Sequence, residues 1–280
     1  MTLHTIQTGY FKLDGGAMFG VVPKSMWQKI NPPDENNMCT WSMRCLLIEE
    51  ENRLILIDTG MGDKQDEKFR SHFYPHGNDS LDKSLAAKGF SRDDITDVIL
   101  THLHFDHCGG AVIRRPDGIL ECAFKNARYW SNEYHWNWAM VPNEREKASF
   151  LKENFVTIQE SGQLNYCKDG GLIIPSISLE YVFGHTEAMM VPHIQYKGMD
   201  IVFAADLMPS SFHIPMPYVM AYDLRPLNTL TEKEKLLTEA VDKGSIIFFE
   251  HDPVSECGIL KRNEQGRIII DQKGNLADFI

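Results

Sequence analysis

Thr101-His102-Leu103-His104-Phe105-Asp106-His107-Cys108-Gly109-Gly110 decides how this chain is read. Four metal-capable side chains fall within six residues, and a glycine pair follows at once. Just upstream, Asp97-Val98-Ile99-Leu100 is short, β-branched and apolar, the pattern of a buried strand. The cluster therefore stands in a loop at a strand end, where a rigid scaffold can carry chemistry. In an extended segment, side chains two apart project to the same side, so His102 and His104 can share one ion. Asp106 and His107 are neighbours; they diverge and can reach a second ion. Imidazole and carboxylate without thiolate suit zinc or another divalent ion of borderline softness. A merely solvated histidine-rich loop is disfavoured by the strand before the cluster and the Gly-Gly after it.

Further metal-capable residues occur in the same setting. His185, in Val182-Phe183-Gly184-His185-Thr186, follows the alternating stretch Ile177-Ser178-Leu179-Glu180-Tyr181. Asp206 closes Ile201-Val202-Phe203-Ala204-Ala205, and His251 closes Ser245-Ile246-Ile247-Phe248-Phe249-Glu250. Alone, each reads as a loop histidine or a capping aspartate. With the first cluster they repeat one arrangement, strand end plus ligand, four times.

In this order the elements resemble the metallo-β-lactamase superfamily over nearly the whole chain. Ile57-Asp58-Thr59-Gly60 matches the early Asp motif and His102 to His107 the HxHxDH motif. Gly-His-Thr at His185, the strand-terminal Asp206 and the late His251 follow. The resemblance implies an α/β chain with an αββα sandwich fold, one metallo-hydrolase domain over residues 1–280, and two Zn²⁺ per chain. Mn, Fe or Co are alternative metals. His102, His104 and His185 would hold one ion, Asp106, His107 and His251 the other, and Asp206 would bridge both. Asp106 and Asp206 thereby take catalytic roles. Asp58 would accept a hydrogen bond from a ligand imidazole and fix its tautomer, although by itself it reads equally as a turn aspartate before Thr-Gly.

Composition agrees with a catalytic domain. At 43% hydrophobic residues the chain can build a core, and no 18-residue apolar run suggests a membrane span. Met1-Thr-Leu-His-Thr-Ile-Gln-Thr-Gly has neither a basic nor an apolar signal region, so a cytoplasmic protein is expected. Six cysteines, at 39, 45, 108, 122, 167 and 257, lack CxxC spacing and read as reduced thiols, Cys108 as a packing residue. With 28 basic against 39 acidic residues, the formal charge of −11 argues against a nucleic-acid partner and hence against the nuclease branch of the superfamily. The expected partner is a small-molecule substrate. A homodimer stays open.

Strands are expected at Tyr10 to Leu13, Cys45 to Ile48 and Leu54 to Ile57. Helices are expected from Asp79 to Gly89, from Asn143 to Ser161, and from Thr231 to Lys243, where Thr231 and Glu234 occupy capping-box positions. The aromatic-rich Phe124 to Trp138 reads as an insertion, either core packing or a pocket wall or subunit contact.

Within the resembled superfamily, true β-lactamases carry Cys or Ser where Asp206 stands. Flavodiiron enzymes replace the histidine corresponding to His104 by Glu, and glyoxalase II-like thioesterases add a helical domain, whereas 29 residues follow His251. What remains is a hydrolase of lactones, esters or phosphotriesters, most similar to N-acyl homoserine lactonases and methyl parathion hydrolase-like enzymes. Quorum quenching by lactone opening is the favoured activity and phosphotriester hydrolysis the alternative; an iron-dependent dioxygenase on the same fold is a distant one. Asp14-Gly15-Gly16-Ala17-Met18-Phe19-Gly20 resembles that branch's entry loop, with Met18, Phe19 and Trp27 as a substrate-lining apolar wall. The chain departs from the branch at Thr186-Glu-Ala-Met-Met, where relatives have Thr-Pro-Gly-His. It departs again at Pro209, where lactonases place a tyrosine that assists the substrate. His213 is the candidate proton donor in that tyrosine's stead.

Overall fold

The computed structural model describes residues 1–280. They form two compact units, one of residues 1–9 and 43–168, the other of residues 10–42 and 169–280. The chain passes between the units three times, so no single linker separates them.

The first unit is built on a six-stranded sheet. Its order is β1 (Thr2–Asp14), β2 (Met38–Glu50), β3 (Arg53–Ile57), β4 (Asp97–Ile99), β7 (Arg128–Ser131) and β8 (Leu164–Tyr166). Residues 10–14 of β1 and 38–42 of β2 count with the second unit. β5 (Val112–Arg114) and β6 (Leu120–Cys122) pair separately as a hairpin. From β3 to β8 the strands run parallel. Parallel strands buried on both faces read as continuous apolar runs, as Leu54-Ile55-Leu56-Ile57 does. Leu47, Leu56, Val98, Tyr129, Trp136 and Phe155 belong to this unit's core.

Several local expectations are corrected here. The 124–138 segment is no insertion: β7 lies inside the sheet, with Val98 opposite Tyr129 and Ile99 opposite Trp130, and α6 (Glu133–Met140) follows it. The continuous helix expected over Asn143 to Ser161 is broken. Its apolar spacing is helical, yet Ser149 gives its carbonyl to the Phe105 amide and Leu151 is extended (φ −91°, ψ 107°). Only α7 (Val156–Glu160) is α-helical there. α4 (Leu81–Ala87) forms as expected but is capped by Ser80, which accepts from the Lys83 amide, and not by Asp79. α3 (Glu67–Phe73) lies on this unit's surface.

The second unit carries a seven-stranded sheet in the order β15 (Ile268–Gly274), β14 (Cys257–Arg262), β13 (Ile246–Phe248), β12 (Met199–Phe203), β11 (Met189–Tyr196), β10 (Ile177–Val182) and β9 (Leu172–Ile174). All pairs are antiparallel except β12–β13, where Ile201 faces Ile246. α8 (Pro226–Lys243) begins a turn earlier than expected. Pro226 fits the first turn because it lacks only an amide that would be unpaired there. Thr231 thus lies inside the helix, bonded to the Leu227 carbonyl, and forms no capping box with Glu234. Residues 14–20 are not a glycine-rich loop but α1 (Gly15–Phe19), capped by Asp14 and followed by α2 (Lys24–Trp27). A Cβ on Gly15 would stand 2.4 Å from the Trp27 ring, so this glycine serves packing.

Candidate metal centre

Two stretches distant in sequence are locked together in the first unit. The Asp58 amide donates to Ile99, the Thr59 amide to His107, and the Gly110 amide to Gly60. A Cβ on Gly109 would lie 2.0 Å from the Met61 carbonyl oxygen, and one on Gly110 2.3 Å from that of Thr59. Only glycines allow this approach. Asp58 itself sits at φ +58°, a strained region found where function over-determines the backbone.

This lock orients the imidazoles. Asp58 accepts from the Thr101 amide at 2.8 Å and the Thr101 hydroxyl at 2.6 Å. His102 Nδ1 lies 3.1 Å from that hydroxyl oxygen, and His107 Nδ1 lies 3.2 Å from Asp58. With Nδ1–H donating, both rings keep a lone pair on Nε2. His104 is turned the other way. Its Nδ1 lies 3.1 Å from His102 Nε2, and its Nε2 faces Glu146 at 3.6 Å. Asp106 and His107 share the single helical turn α5 (Phe105–Cys108), with a carboxylate oxygen 3.8 Å from His107 Nε2.

The second unit repeats the logic. His185 Nδ1 lies 2.9 Å from Asp223, and His251 Nδ1 lies 2.7 Å from the Ser42 carbonyl oxygen. Both rings therefore point Nε2 at Asp206, one at each carboxylate oxygen, and each at 3.2 Å. Ala205, at φ +44°, makes the turn that presents Asp206 after β12. Backbone bonds from Leu224 to His185 and from Arg225 to Gly184 carry Asp223 behind the ring.

All seven expected ligands are at most 7% exposed. Within each unit, His102 with His104, Asp106 with His107, and His185 with Asp206 offer ligand atoms close enough to share an ion. Buried imidazole lone pairs beside carboxylates are the donor set a divalent cation neutralises, with outward nitrogens fixed by oxygen partners. The residues fit such an ion.

Other expected site residues are placed differently. His213, expected as the proton donor, is enclosed. It is 1% exposed, its Nε2 is 2.9 Å from the Met18 carbonyl oxygen and its Nδ1 2.8 Å from the Ser210 hydroxyl. Burial lowers its pKa to about 4, so the ring is neutral at pH 7. The substrate wall is corrected too. Phe19 is stacked on Trp27 (5.3 Å, 16°) and on His213 (5.3 Å, 6°), and Met18, Phe19 and Trp27 are all buried. These residues make a core.

Sequence reasoning missed Asp223 and Glu146, both buried behind ligand imidazoles. It also missed an apolar cluster beside the first motif. Phe105 meets Phe73 at 4.4 Å and Phe69 at 5.2 Å, the latter two half-buried on α3. Their spacing of four residues on a short helix was the available signal.

No helix is long and apolar enough to cross a membrane. The family profile described as Metallo-beta-lactamase superfamily matches residues 44–251. An N-acyl homoserine lactonase of Bacillus cereus is 25% identical over 272 residues, covering 91% of this chain and 96% of that protein. A probable metal-dependent hydrolase from Staphylococcus aureus superposes with a TM-score of 0.88 at 28% identity, over 98% of this chain and 96% of the other. AidC, a dizinc quorum-quenching lactonase in complex with a product, superposes with a TM-score of 0.79 at 22% identity, over 96% and 92%. This chain belongs to the metallo-beta-lactamase superfamily, and its fold is that of a metal-dependent hydrolase.

Proposed function

We propose that the ligand sets of the two units serve one dinuclear zinc centre, the units acting as a single hydrolase domain over residues 1–280. The substrate is a small hydrophobic lactone or ester, with an N-acyl homoserine lactone foremost. One ion belongs to His102, His104 and His185, the other to Asp106, His107 and His251. The observation that carries this reading is Asp206, whose two carboxylate oxygens each face a different imidazole Nε2. A carboxylate so placed is suited to bridge two ions. The lactone preference is supported by the Bacillus cereus lactonase, which aligns over 91% of this chain.

Two divalent ions there would supply a deprotonated water at neutral pH and positive charge for a developing oxyanion. The chain's own residues do the rest. Asp58, Asp223 and the Ser42 carbonyl hold the Nδ1–H tautomers of His107, His185 and His251. No side-chain nucleophile is required, and the burial of His213 disfavours it as the acid for the leaving oxygen. Phe69, Phe73 and Phe105 offer an apolar surface for an acyl chain beside the first motif.

The test is a hydrolysis panel of zinc-loaded protein with N-acyl homoserine lactones of several chain lengths, aryl esters and paraoxon-like triesters. Lactone opening is expected to dominate. Faster triester cleavage contradicts the substrate class, and dioxygen consumption with a single bound iron contradicts hydrolysis altogether.

A further inference from the structure

We propose that the face of α6 carrying His135 and Trp138, together with Glu146, is the platform that sets the geometry of the His102–His104 pair. The inference deepens the two-metal reading above and rests on it.

His135 and Trp138 are three residues apart on one helix and share a face. The His135 amide donates to the Asn132 side chain, which caps α6. The His135 Nε2 atom accepts the Leu103 amide at 2.8 Å, so the ring is neutral and protonated at Nδ1. Leu103 is the residue between the two histidines. Fixing its peptide plane fixes the points from which both flanking side chains start.

Trp138 reaches the second histidine through Glu146. Its indole N–H and the Asn143 amide group both donate to one oxygen of Glu146, at 2.8 and 2.6 Å. That leaves the other oxygen directed at His104 Nε2, 3.6 Å away. Among the histidines whose orientation is fixed in this unit's motif, His104 alone turns Nδ1 inward. A ring in that pose carries its proton on Nε2 and needs an acceptor behind it. Glu146, 4% exposed and held by two donors, sets its other carboxylate oxygen on that side at 3.6 Å, where its charge favours this tautomer. Phe150 packs against both His104 (4.8 Å) and His135 (5.7 Å), and the Ser149 carbonyl takes the Phe105 amide, so the 143–150 turn follows the motif closely. Glu146 is thus a positioning residue, and the aromatic composition of α6 serves it.

Glu146→Gln preserves the size of the side chain but cannot preserve its bonding. With the amide oxygen toward His104, the amino group meets the Trp138 and Asn143 donors. Flipped, it meets the His104 N–H. Donor faces donor in either pose. Wild type, E146Q and W138F would be prepared metal-free and titrated with zinc against a chromophoric chelator, and the metal-free proteins would also be melted. The expected result for E146Q is a fall of about 10–100-fold in one zinc affinity, with the other affinity unchanged and the metal-free melting temperature lowered less than the metal-loaded one. W138F, which removes one of the two donors, should shift the same affinity by less; it keeps the test decisive if E146Q does not fold. Wild-type zinc affinities in both variants overturn the proposal, as does a metal-free melting temperature lowered as much as the metal-loaded one. A wild type that binds one ion refutes the two-metal reading, while a fall in that single affinity in E146Q still upholds the positioning role.

Discussion

His193→Gln should make the protein's stability less dependent on alkaline pH. His193 lies on β11 with Glu180 of β10 at 3.4 Å and Asp200 of β12 at 3.7 Å. Lys235 pairs with Glu180, and Ser245 donates to Asp200. Burial opposes the imidazolium charge, but the carboxylates of Asp200 and Glu180 outweigh it and raise His193 to about 9. His193, helped by Lys235 against the opposing effect of burial, holds Glu180 down at about 2. A histidine whose folded pKa is raised stabilises the fold fully below its ordinary value of 6.5, and that stabilisation is lost as pH rises through about 9. For Glu180 the stabilisation is present above 4.5 and lost as pH falls through about 2. The shift of His193 corresponds to a ceiling of about 3 kcal/mol. Partial solvent screening reduces it to roughly 1–2 kcal/mol. At this chain length that is a few degrees of melting temperature, roughly 2–6 °C. Melting curves of wild type and H193Q from pH 5 to 10 should differ most at pH 5–6.5 and converge above pH 9. A gap that is constant with pH, or that widens in alkali, refutes the reasoning. The clamp joins β10, β11 and β12, whose neighbouring loops deliver His185 and Asp206.

Phe19→Ala removes a fully buried ring stacked on both faces and should cost about 3–5 kcal/mol in urea unfolding, with little change in KM for any hydrophobic substrate. Asp223→Asn can donate to His185 Nδ1 and so favour the tautomer that points N–H at Asp206. Chelator competition should then show one zinc affinity reduced about 10–100-fold, whereas wild-type affinity would remove Asp223 from the site. Phe73→Ala should raise KM roughly tenfold for long-chain acyl lactones and little for short ones; an equal effect on both would make the α3 cluster structural.

The expected ligands were legible because each follows an apolar strand, and an apolar run ending in a polar residue is a local signal. Four of them fall within six residues, and the Gly-Gly behind them is required by backbone contact with Thr59 and Met61. The partners behind the imidazoles were not legible. Glu146 sits in Asn143-Glu144-Arg145-Glu146-Lys147, which reads as a solvated helix face, and nothing local separates it from Glu144. Asp223 is 38 residues from His185 and reaches it through a backbone pairing that no periodicity announces. His213 and Phe19 look functional by composition and context, yet they stack on one another in a core. The helix expected over 143–161 failed for the same reason: its apolar spacing was right, but a tertiary bond to the Phe105 amide prevailed.

The central claim, two ions held by seven residues with Asp206 between them, is tested most directly by titrating metal-free protein with zinc. Lactone opening and bound zinc would be followed together, in wild type and in Asp206→Ala. Activity of the wild type should rise to a plateau at two equivalents per chain, and the variant should lose activity and bind at least one ion more weakly. A plateau at one equivalent, or a D206A protein that keeps both ions and full turnover, would contradict the account.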